Sequence, residues 1–332
     1  MEISLWITNR CNMKCKYCYV DSKKGETIFK QQNIEDLIIF ITNNLKSGED
    51  IFVSFFGGEP LLAFDTIEKV VLKMNVEFSN KIQYGITTNG LMLDNKRIKF
   101  FVDNKFAVSL SWDGCEVAHD YNRVDGFGNG TYQRVREKYL NLKESGLVPV
   151  RVRATFNSET YVYLKQSVRD LLDVDREVSA IFVPDYFDNN WNEQKLNELF
   201  GIITEIRKEC MVNNITIIGE EKKKIRICNG GIGSYHIYVD GRIYPCSFTV
   251  DQEFFCIGDL KQGLIQQKID EFAKEYNCSL ETCDGCDYEK YCLSYKCRYL
   301  NYVLTGCFNS ASGIVCAMEN IKLGSNSNDN IN

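Results

Sequence analysis

Two hydrophobic patterns alternate over most of this chain, and this alternation constrains its fold more than any other feature. From residue 3 to about 220, short β-branched or aromatic runs alternate with longer stretches that have apolar residues at helical spacing. Ile34, Leu37 and Ile41 show that spacing, and Asn33 is placed to cap their helix. Such alternation is typical of βα units around a parallel sheet. It predicts six strands, near residues 3–8, 51–56, 82–88, 106–111, 149–156 and 179–184.

Chemically distinctive motifs directly follow the first four predicted strands. They are Cys11 to Cys18, Gly57-Gly58-Glu59-Pro60, Thr87-Thr88-Asn89-Gly90 and Ser111-Trp112-Asp113-Gly114. In barrels of parallel strands, functional groups gather at the carboxyl ends of the strands, where the βα loops meet. The pattern therefore predicts one functional site built from these four loops.

The cysteines of the first loop, Cys11, Cys15 and Cys18, suggest a metal site with one open position. Thiolates are soft ligands that select iron-sulfur clusters, zinc or Cu(I). A four-iron cluster normally takes four of them. Three ligands on one short loop therefore leave a position for a substrate or cofactor. A structural zinc loop, or three unrelated thiols, is the alternative interpretation.

The CxxxCxxC spacing, with Tyr17 before the last cysteine, resembles the radical S-adenosylmethionine (radical SAM) superfamily. The resemblance implies an α/β fold, a partial (β/α)6 barrel. It also implies a 4Fe-4S cluster whose fourth iron holds the amino and carboxylate groups of SAM. In this family the reduced cluster cleaves SAM to methionine and a 5′-deoxyadenosyl radical, which abstracts hydrogen from the substrate. The chain is accordingly expected to be an oxidoreductase.

The glycine-rich motif after the second strand is expected to hold SAM. Its glycines let the backbone approach a ligand closely, and the Glu59 carboxylate can accept bonds from a ligand ammonium. By resemblance, Ser111 and Asp113 lie near the ribose hydroxyls, and Tyr17 either packs against adenine or covers the cluster. The full set of expected cofactor-binding residues is Tyr17, Gly57, Gly58, Glu59, Asn89, Ser111, Asp113, Arg123 and Arg153.

Two arginines are candidates for the methionine carboxylate of SAM. A guanidinium group suits a carboxylate because its donors match the two oxygens. Arg123 and Arg153 both fit this role, and the sequence does not decide between them.

After about residue 220 the chain changes to short strands, glycines and dense cysteines. The spacing of these cysteines resembles the SPASM domain of peptide-modifying radical SAM enzymes, although the spacer before Cys297 has four residues where three is usual. The resemblance implies two auxiliary 4Fe-4S clusters, which makes three clusters in all. One is held by Cys283, Cys286, Cys292 and Cys316, and the other by Cys228, Cys246 and Cys297.

The fourth ligand of the second auxiliary cluster is left open. Cys256 is one candidate, and a thiolate of the substrate is the other. A pair of zinc sites is the competing interpretation of the whole region, because CxxC knuckles favour zinc in many proteins. Cys115 and Cys210 are expected to be inert packing residues. Cys278 and Cys307 are candidate substitutes in the ligand sets.

These patterns divide the chain into a barrel over residues 1–220, an auxiliary-cluster domain over 221–323 and a flexible tail over 324–332. The tail has too little apolar surface to order itself. No apolar run approaches the length of a membrane span, and the start of the chain does not resemble a signal segment. A net charge of −6 gives no footprint for nucleic acid or an anionic membrane. A cytoplasmic protein with neither partner is expected.

Two groups of enzymes share this architecture. One group matures ribosomally made peptides (RiPPs) by thioether or carbon-carbon crosslinks or by epimerisation, and the other is the anaerobic sulfatase-maturing group, which forms formylglycine. The second group usually has an Asp directly after the cysteine of a Gly-x4-Cys motif. In this chain the motif runs from Gly241 to Cys246, and the next residue is Ser247, which cannot act as a carboxylate base. The opening segment from Leu5 to Cys15 resembles that of maturases of small Cys-rich peptides, and this resemblance favours the first group. An iron-sulfur electron-transfer protein without SAM cleavage is the alternative from a different class.

The expected partners follow from that function. They are a short precursor peptide and an electron donor such as flavodoxin or ferredoxin. A separate leader-binding protein is a further candidate, since the first barrel strand begins at Ile3. Asp185, just past the sixth strand, is the candidate base, with a turn residue as the alternative. Which peptide is modified and which bond is made are not set by the sequence.

Overall fold

The structure, a computed structural model, describes residues 1–20, 27–147, 149–218, 228–277, 280, 283, 285–289 and 291–324. Within them lie an eleven-stranded sheet and a two-stranded sheet. In chain order the strands are β1 (Glu2–Thr8), β2 (Met13–Cys15), β3 (Ile51–Gly57), β4 (Ile82–Thr88), β5 (Ala107–Ser111), β6 (Arg123–Asp125), β7 (Val150–Phe156), β8 (Ser179–Pro184), β9 (Ile215–Ile217), β10 (Ser234–Ile237), β11 (Arg242–Tyr244), β12 (Gly258–Asp259) and β13 (Gly263–Leu264).

Helices connect most of these strands. They are α1 (Gln32–Asn44), α2 (Phe64–Phe78), α3 (Asn95–Asp103), α4 (Glu116–Asn122), α5 (Tyr132–Glu144), α6 (Leu164–Val174), α7 (Glu193–Val212), α8 (Gln266–Asn277), α9 (Leu293–Lys296), α10 (Arg298–Thr305) and α11 (Gly313–Gly324). Short 3-10 turns lie at Pro60–Ala63, Ser79–Lys81, Tyr161–Tyr163, Ser247–Thr249 and Glu253–Phe255. No helix in these described ranges is both long and apolar enough to cross a bilayer.

The six predicted strands are confirmed as one uninterrupted parallel run. The order in the large sheet is β13-β12-β11-β10-β1-β3-β4-β5-β7-β8-β9. Along this order, the strands from β10 through β1 to β9 pair in parallel. The strands β10, β11, β12 and β13 pair antiparallel with one another. The α/β fold class is therefore confirmed. Because the strands are parallel, the loops that follow β1, β3, β4, β5, β7 and β8 meet at one edge.

The burial of β3 shows why the sequence folds this way. Ile51, Val53 and Phe55 are fully buried and pack in the core with the apolar faces of α1 and α2. Burying such side chains contributes roughly 1.5–3 kcal/mol each. The alternate residues of the strand are only partly buried and face the other side of the sheet, and Phe56 among them lines a cavity.

Two features of the fold differ from the sequence-based expectation. Asn33 lies inside the first turn of α1, whose N-cap is Gln31, so the predicted cap is wrong. Its side chain instead donates to the Val239 carbonyl at 3.3 Å, because that buried carbonyl lies against the start of the helix.

The second difference is that the parallel run extends beyond the six predicted strands. β9 adds to one edge, and β10, from the Cys-rich region, pairs with β1 at the other edge. Both strands are short, so their periodicity is weak in the sequence. The proposed domain boundary at 220/221, and the tail beyond Gly324, lie outside the described residues.

Candidate functional site

The cysteine loop after β1 is held by backbone pairing on two sides. β2 pairs antiparallel with β6, which places Cys15 opposite Arg123. On the other side, Gly58 N donates to Thr8 O at 2.9 Å and Glu59 N donates to Arg10 O at 2.7 Å. The loop is therefore fixed to the end of β3 and to the segment after α4 before any metal binds.

The glycines after β3 are required by this contact with the cysteine loop. A Cβ on Gly57 would lie 2.1 Å from Thr8 O, and one on Gly58 would lie 2.2 Å from Arg10 O. Gly57 also has φ +130°, a conformation that a side chain strongly disfavours. The sequence suggested that these glycines admit a ligand, and the structure shows that they admit the backbone of Thr8 and Arg10.

Glu59 is a buried carboxylate with three donors of its own. Its Oε1 accepts bonds from Thr88 Oγ1 at 2.7 Å and Leu61 N at 3.1 Å, and its Oε2 accepts from Asn89 N at 2.8 Å. A carboxylate offers about four acceptor positions, so one position on Oε2 remains. Burial raises the pKa of Glu59, and the three hydrogen bonds oppose this effect.

Asn89 connects the loop after β4 to the cysteine loop. Its Nδ2 donates to Asn12 Oδ1 at 2.8 Å and lies 4.0 Å from Cys11 Sγ. The sulfur of Cys11 also accepts from Met13 N at 3.4 Å. The Cys11 side chain is exposed and lines the cavity, and desolvation by the surrounding atoms raises the pKa of its thiol to about 12. Metal binding must therefore displace a proton from it.

A buried ion pair supports the other side of the cysteine loop. Arg123 Nε donates to Asp113 Oδ1 at 3.2 Å, and Asp113 Oδ1 also accepts from Thr155 N at 2.9 Å. Tyr17 donates its hydroxyl to Asp113 Oδ2 at 2.6 Å, and the Arg123 guanidinium lies 5.3 Å from the Tyr17 ring centroid. Arg123 Nη1 is 3.8 Å from Cys15 Sγ.

His119 lies behind this pair and is neutral. Its Nδ1 accepts from Asp113 N at 3.2 Å, so its Nε2 carries the proton and donates to Thr131 Oγ1 at 2.9 Å. Burial lowers the pKa of His119 well below its usual value. Three donors bond to the oxygens of Asp113, which leaves one acceptor position on its Oδ2.

One cavity of about 900 Å³ joins these groups. Its lining includes all three cysteines of the first loop together with Tyr17, Gly57, Gly58, Glu59, Asn89, Ser111, Arg123, Arg153 and Asp185. Asp113 is the one member of the predicted cofactor set that does not line it. The Cys-rich region contributes Ser247, Phe248, Leu293, Cys297 and Leu300 to the opposite wall.

The auxiliary cysteines form two groups in space. Cys246 and Cys297 interact electrostatically with each other and with Cys228, and all three lie near Tyr299. Cys316 interacts in the same way with Cys283 and Cys286. Burial raises the pKa of the Cys297 thiol to about 11 and raises that of Cys246 further. The first group contains the three cysteines of one set that the resemblance implied, and the second group contains three of the four cysteines of the other set.

Cys292 and Cys256 are placed differently. Cys292 is buried just before α9, and the next residue, Leu293, donates its N–H to Glu319 of α11, the helix that carries Cys316. The Cys256 thiol donates to Gly258 O at 3.3 Å, and within the described ranges no interaction joins it to Cys228, Cys246 or Cys297. Cys115 and Cys210 are buried, Cys307 is exposed, and Cys278 lies outside the described residues.

No group of three or more His, Cys, Asp or Glu side chains among the described residues meets the geometry of a single metal ion. Each thiolate of a cubane binds a different iron, so the ligands of a cluster are spaced more widely than those of one ion.

The structure also brings in residues that sequence reasoning missed. Glu319 and Lys322 of α11 line the cavity as a buried ion pair, with Lys322 Nζ 2.6 Å from Glu319 Oε2. His236 of β10 lines it as well, and its Nδ1 has no hydrogen-bond partner among the described residues. A charged pair at i, i+3 in an otherwise apolar helix was the available signal for the first two. No local sequence pattern indicates that His236 would line the cavity.

Asp185 and Ser247 combine structural contacts with positions on the cavity wall. Asp185 Oδ1 accepts from Phe187 N at 3.0 Å, a turn contact, and burial raises the pKa of Asp185. Ser247 is hydrogen-bonded to Tyr19. Asp185 therefore makes the contact of a turn residue and also lines the cavity, and its role as a base stays a prediction.

Comparison with known proteins identifies the class. The model of the radical SAM superfamily matches residues 6–176, just over half of the chain, so this protein belongs to the radical SAM superfamily and is an enzyme. Two curated relatives are similar to this chain over different lengths. An uncharacterized protein of Methanocaldococcus jannaschii, MJ0907, is 30% identical over 174 residues, 52% of this chain and 58% of that relative, so the match spans less than two thirds of it. A cysteine-type anaerobic sulfatase-maturating enzyme of Clostridium perfringens is 26% identical over 325 residues, 85% of this chain and 84% of the relative.

Solved structures share the fold over nearly the whole chain. Native anSMEcpe with bound AdoMet gives a TM-score of 0.81 at 20% identity, covering 99% of this chain and 100% of the other. Streptococcus suis SuiB bound to the precursor peptide SuiA gives a TM-score of 0.69 at 17% identity, covering 95% of this chain and 75% of the other. The fold therefore includes the Cys-rich region as well as the barrel.

Proposed function

We propose that this enzyme is a radical SAM peptide maturase that installs a thioether or carbon-carbon crosslink in a ribosomally made peptide. One observation carries the proposal. The cysteine loop and all of the predicted SAM-binding residues except Asp113 line the same cavity as Cys297 and Phe248 of the Cys-rich region. Hydrogen abstraction and removal of the remaining electron can then take place around one bound peptide.

The residues present fit a cluster and SAM. Three soft thiolates face the cavity from one loop, which suits a cluster with an open iron. When bound, the cluster and SAM supply a 5′-deoxyadenosyl radical that takes a hydrogen atom from the peptide, and an auxiliary cluster accepts the electron left after bond formation. The spare acceptor position on Glu59 Oε2 suits the SAM ammonium group.

Arg123 is assigned to the methionine carboxylate of SAM. It lies 3.8 Å from Cys15 Sγ, beside the loop that holds the open iron, whereas Arg153 belongs to β7. Asp113 orients Arg123 through its Nε and keeps the guanidinium charged. Ser111 and Asn89 complete the SAM-facing wall, and Tyr17 covers the cluster side because its hydroxyl is fixed by Asp113.

The auxiliary clusters are assigned to the region over 221–323. Cys283, Cys286, Cys292 and Cys316 hold one, and Cys228, Cys246 and Cys297 hold the other. The position of Cys256 favours an open fourth site on the second cluster, which a substrate thiolate can occupy. Asp185 is proposed as the group that accepts the proton released on bond formation. A flavodoxin or ferredoxin, and a separate leader-binding protein, are the proposed protein partners.

Formylglycine formation is the second candidate, and the similarity to sulfatase-maturating enzymes over most of the chain favours it. Ser247 argues against it. The position that usually carries Asp in that group holds a hydroxyl that is hydrogen-bonded to Tyr19. A serine hydroxyl has no carboxylate to take up a proton near neutral pH.

The test is anaerobic incubation of the reconstituted enzyme with SAM, reductant and a candidate peptide, followed by mass spectrometry. Loss of two hydrogens per event, together with 5′-deoxyadenosine, supports crosslinking. Loss of two hydrogens combined with replacement of sulfur by oxygen at the Cys of a sulfatase peptide supports the second candidate. A peptide whose mass is unchanged in ordinary water but which gains one deuterium in deuterated water indicates epimerisation. The Cys15→Ala variant must make no 5′-deoxyadenosine while keeping most auxiliary-cluster iron, and Cys210→Ala serves as the control.

A further inference from the structure

The two-stranded sheet of β2 and β6 has two faces of different character. Successive residues of a strand alternate between faces, and residues opposite each other in an antiparallel pair share a face. Cys15 lies opposite Arg123, and both line the cavity. Lys14 lies opposite Val124, and Lys16 N donates to the last backbone carbonyl of α4 at 2.9 Å, which continues the same register. Lys14 and Lys16 therefore project from the outer face, where both are exposed.

The outer face is separated from the first cysteine site by the thickness of one strand. Neighbouring Cα atoms are about 3.8 Å apart, so the backbones of Lys14 and Lys16 lie that close to the backbone of Cys15. On the inner side, Arg123 Nη1 is 3.8 Å from Cys15 Sγ. A protein that docks on the outer face comes close to this thiol without entering the cavity.

Exposed apolar side chains lie beside the two lysines. Val117 and Tyr121 are one turn apart on α4 and are 52% and 41% exposed. Lys16 Nζ lies 3.2 Å from the Tyr121 ring centroid, which joins α4 to the outer face of the sheet. Phe127, in the turn after β6, is 94% exposed. We call Lys14, Lys16, Val117, Tyr121 and Phe127 the outer patch.

The exposure of Phe127 is imposed by a well-bonded turn. Asp125 Oδ1 accepts from Phe127 N and from Asn129 N, each at 3.0 Å. Gly126 N donates to Asn12 O at 3.2 Å, which fixes the turn to the cysteine loop. Apolar surface that is held in water and surrounded by polar groups is typical of a protein–protein contact.

The charge of the outer patch indicates an acidic partner. The Lys14 side chain forms no hydrogen bond or ion pair within the part of the chain that the structure describes. Asp125, the nearest carboxylate along β6, is already paired with Arg134 at 2.7 Å. The whole protein carries a net charge of −6, so an acidic partner is repelled elsewhere and attracted here.

We propose that the outer patch binds a small acidic electron-transfer protein of the flavodoxin class, which reduces the first cluster across the β2–β6 sheet. The anionic hydroquinone of its flavin loses one electron to become the neutral semiquinone, and the cluster gains that electron. The proposal rests on the proposed function, because it gives a docking place to the electron donor that this function requires. A patch of five residues suits a transient redox contact, which commonly buries less than about 1,200 Å² in total.

Equilibrium binding tests the patch without turnover. The probe is a dye-labelled oxidised flavodoxin, and the readout is its anisotropy with the reconstituted enzyme and SAM. Binding should weaken as the ionic strength rises from about 0.05 to 0.5 M. Lys14→Glu should weaken it about three- to tenfold, because an attraction becomes a repulsion. Phe127→Ser should weaken it at least about tenfold, because it removes a large apolar contact.

The control variants are Lys81→Glu and Val76→Ser, which make the same kinds of change at other exposed positions. Both residues lie just before β4, at the amino edge of the parallel strands and away from the cysteine loop. Their affinities for flavodoxin should equal that of the wild type. The proposal is overturned by absence of flavodoxin binding, by salt-independent binding, or by equal affinities of patch and control variants.

Reduction by two routes then links the patch to electron transfer. Phe127→Ser should form 5′-deoxyadenosine more slowly than the wild type with reduced flavodoxin, and at the wild-type rate and iron content with dithionite. Equal slowing with both reductants overturns the proposal. So does an enzyme dimer in sedimentation that Phe127→Ser dissociates, since a second copy of this chain then occupies the patch. Flavodoxin binding that follows the predictions, with 5′-deoxyadenosine formed and no peptide crosslinked, supports the patch while refuting the proposed function.

Discussion

Replacing Asp113 with Asn should strongly destabilise the protein, because it leaves the buried guanidinium of Arg123 without a counter-charge. The side chains are 1% and 9% exposed. An Asn Oδ1 can still accept from Thr155 N and Arg123 Nε, so the main loss is the negative charge. Removing one partner of a buried pair costs about 3–5 kcal/mol.

The second half of this experiment is a double-mutant cycle. Arg123→Met alone leaves the Asp113 carboxylate buried with Tyr17 and Thr155 as its remaining donors, so it should also destabilise. Once both charges are absent, no uncompensated charge remains. The loss of unfolding free energy in the double variant should therefore be smaller than the sum of the two single losses by on the order of 2 kcal/mol.

Urea unfolding followed by tryptophan fluorescence measures these values, since Trp112 is fully buried directly before Asp113. Asp103→Asn is the control, because its ion pair with Lys99 is exposed and should contribute less than about 1 kcal/mol. If Asp113→Asn costs no more than Asp103→Asn, or if the two single effects simply add, the argument for a supporting ion pair is refuted.

Three other sites allow predictions from individual contacts. Gly58→Ala should lower the iron content of the first site, because the added Cβ would displace the Arg10 carbonyl. Gly201→Ala is the control and should leave the iron content unchanged, because a Cβ at that position would have no neighbouring atom within 4 Å. Equal iron contents of the two variants would contradict this prediction. Tyr17→Phe should destabilise the protein by about 1.5–3 kcal/mol in urea unfolding, since it removes a 2.6 Å hydrogen bond to a buried carboxylate, and an unchanged midpoint would show that the bond contributes nothing. Burial lowers the pKa of His236 from 6.5 to about 4, so the folded protein favours the neutral imidazole. The contribution of His236 to the free energy of unfolding is therefore complete above pH 6.5 and is lost as the pH falls toward 4. His236→Gln should reduce the fall of the urea midpoint between these pH values, and parallel pH profiles of variant and wild type would refute the assignment.

The sequence was most informative where function depends on local spacing. The apolar periodicity of β1, β3, β4, β5, β7 and β8 placed each strand within one or two residues of its observed bounds. The cysteine, glycine and Asp motifs follow these strands, so the parallel fold by itself brings them to one edge. The cap at Asn33 was wrong because a tertiary partner, the Val239 carbonyl, determines where that side chain points.

Contacts between distant residues lay beyond the sequence. The spacing of Gly57 and Gly58 predicted a close approach, but only the fold shows that Thr8 and Arg10 make it. The proposed choice of Arg123 over Arg153 rests on the 3.8 Å distance from Arg123 Nη1 to Cys15 Sγ, which joins segments far apart in the sequence. The Glu319–Lys322 pair is remote in sequence from the motifs whose cavity it lines.

The sequence by itself thus determined the class of fold, the family and the spacing of the candidate thiol ligands, because strand periodicity and cysteine spacing are properties of short segments. The tertiary structure decided which charged groups are paired and which carboxylate oxygens are already occupied. Those properties depend on distances between segments far apart along the chain, and desolvation in a shared cavity makes each of them matter.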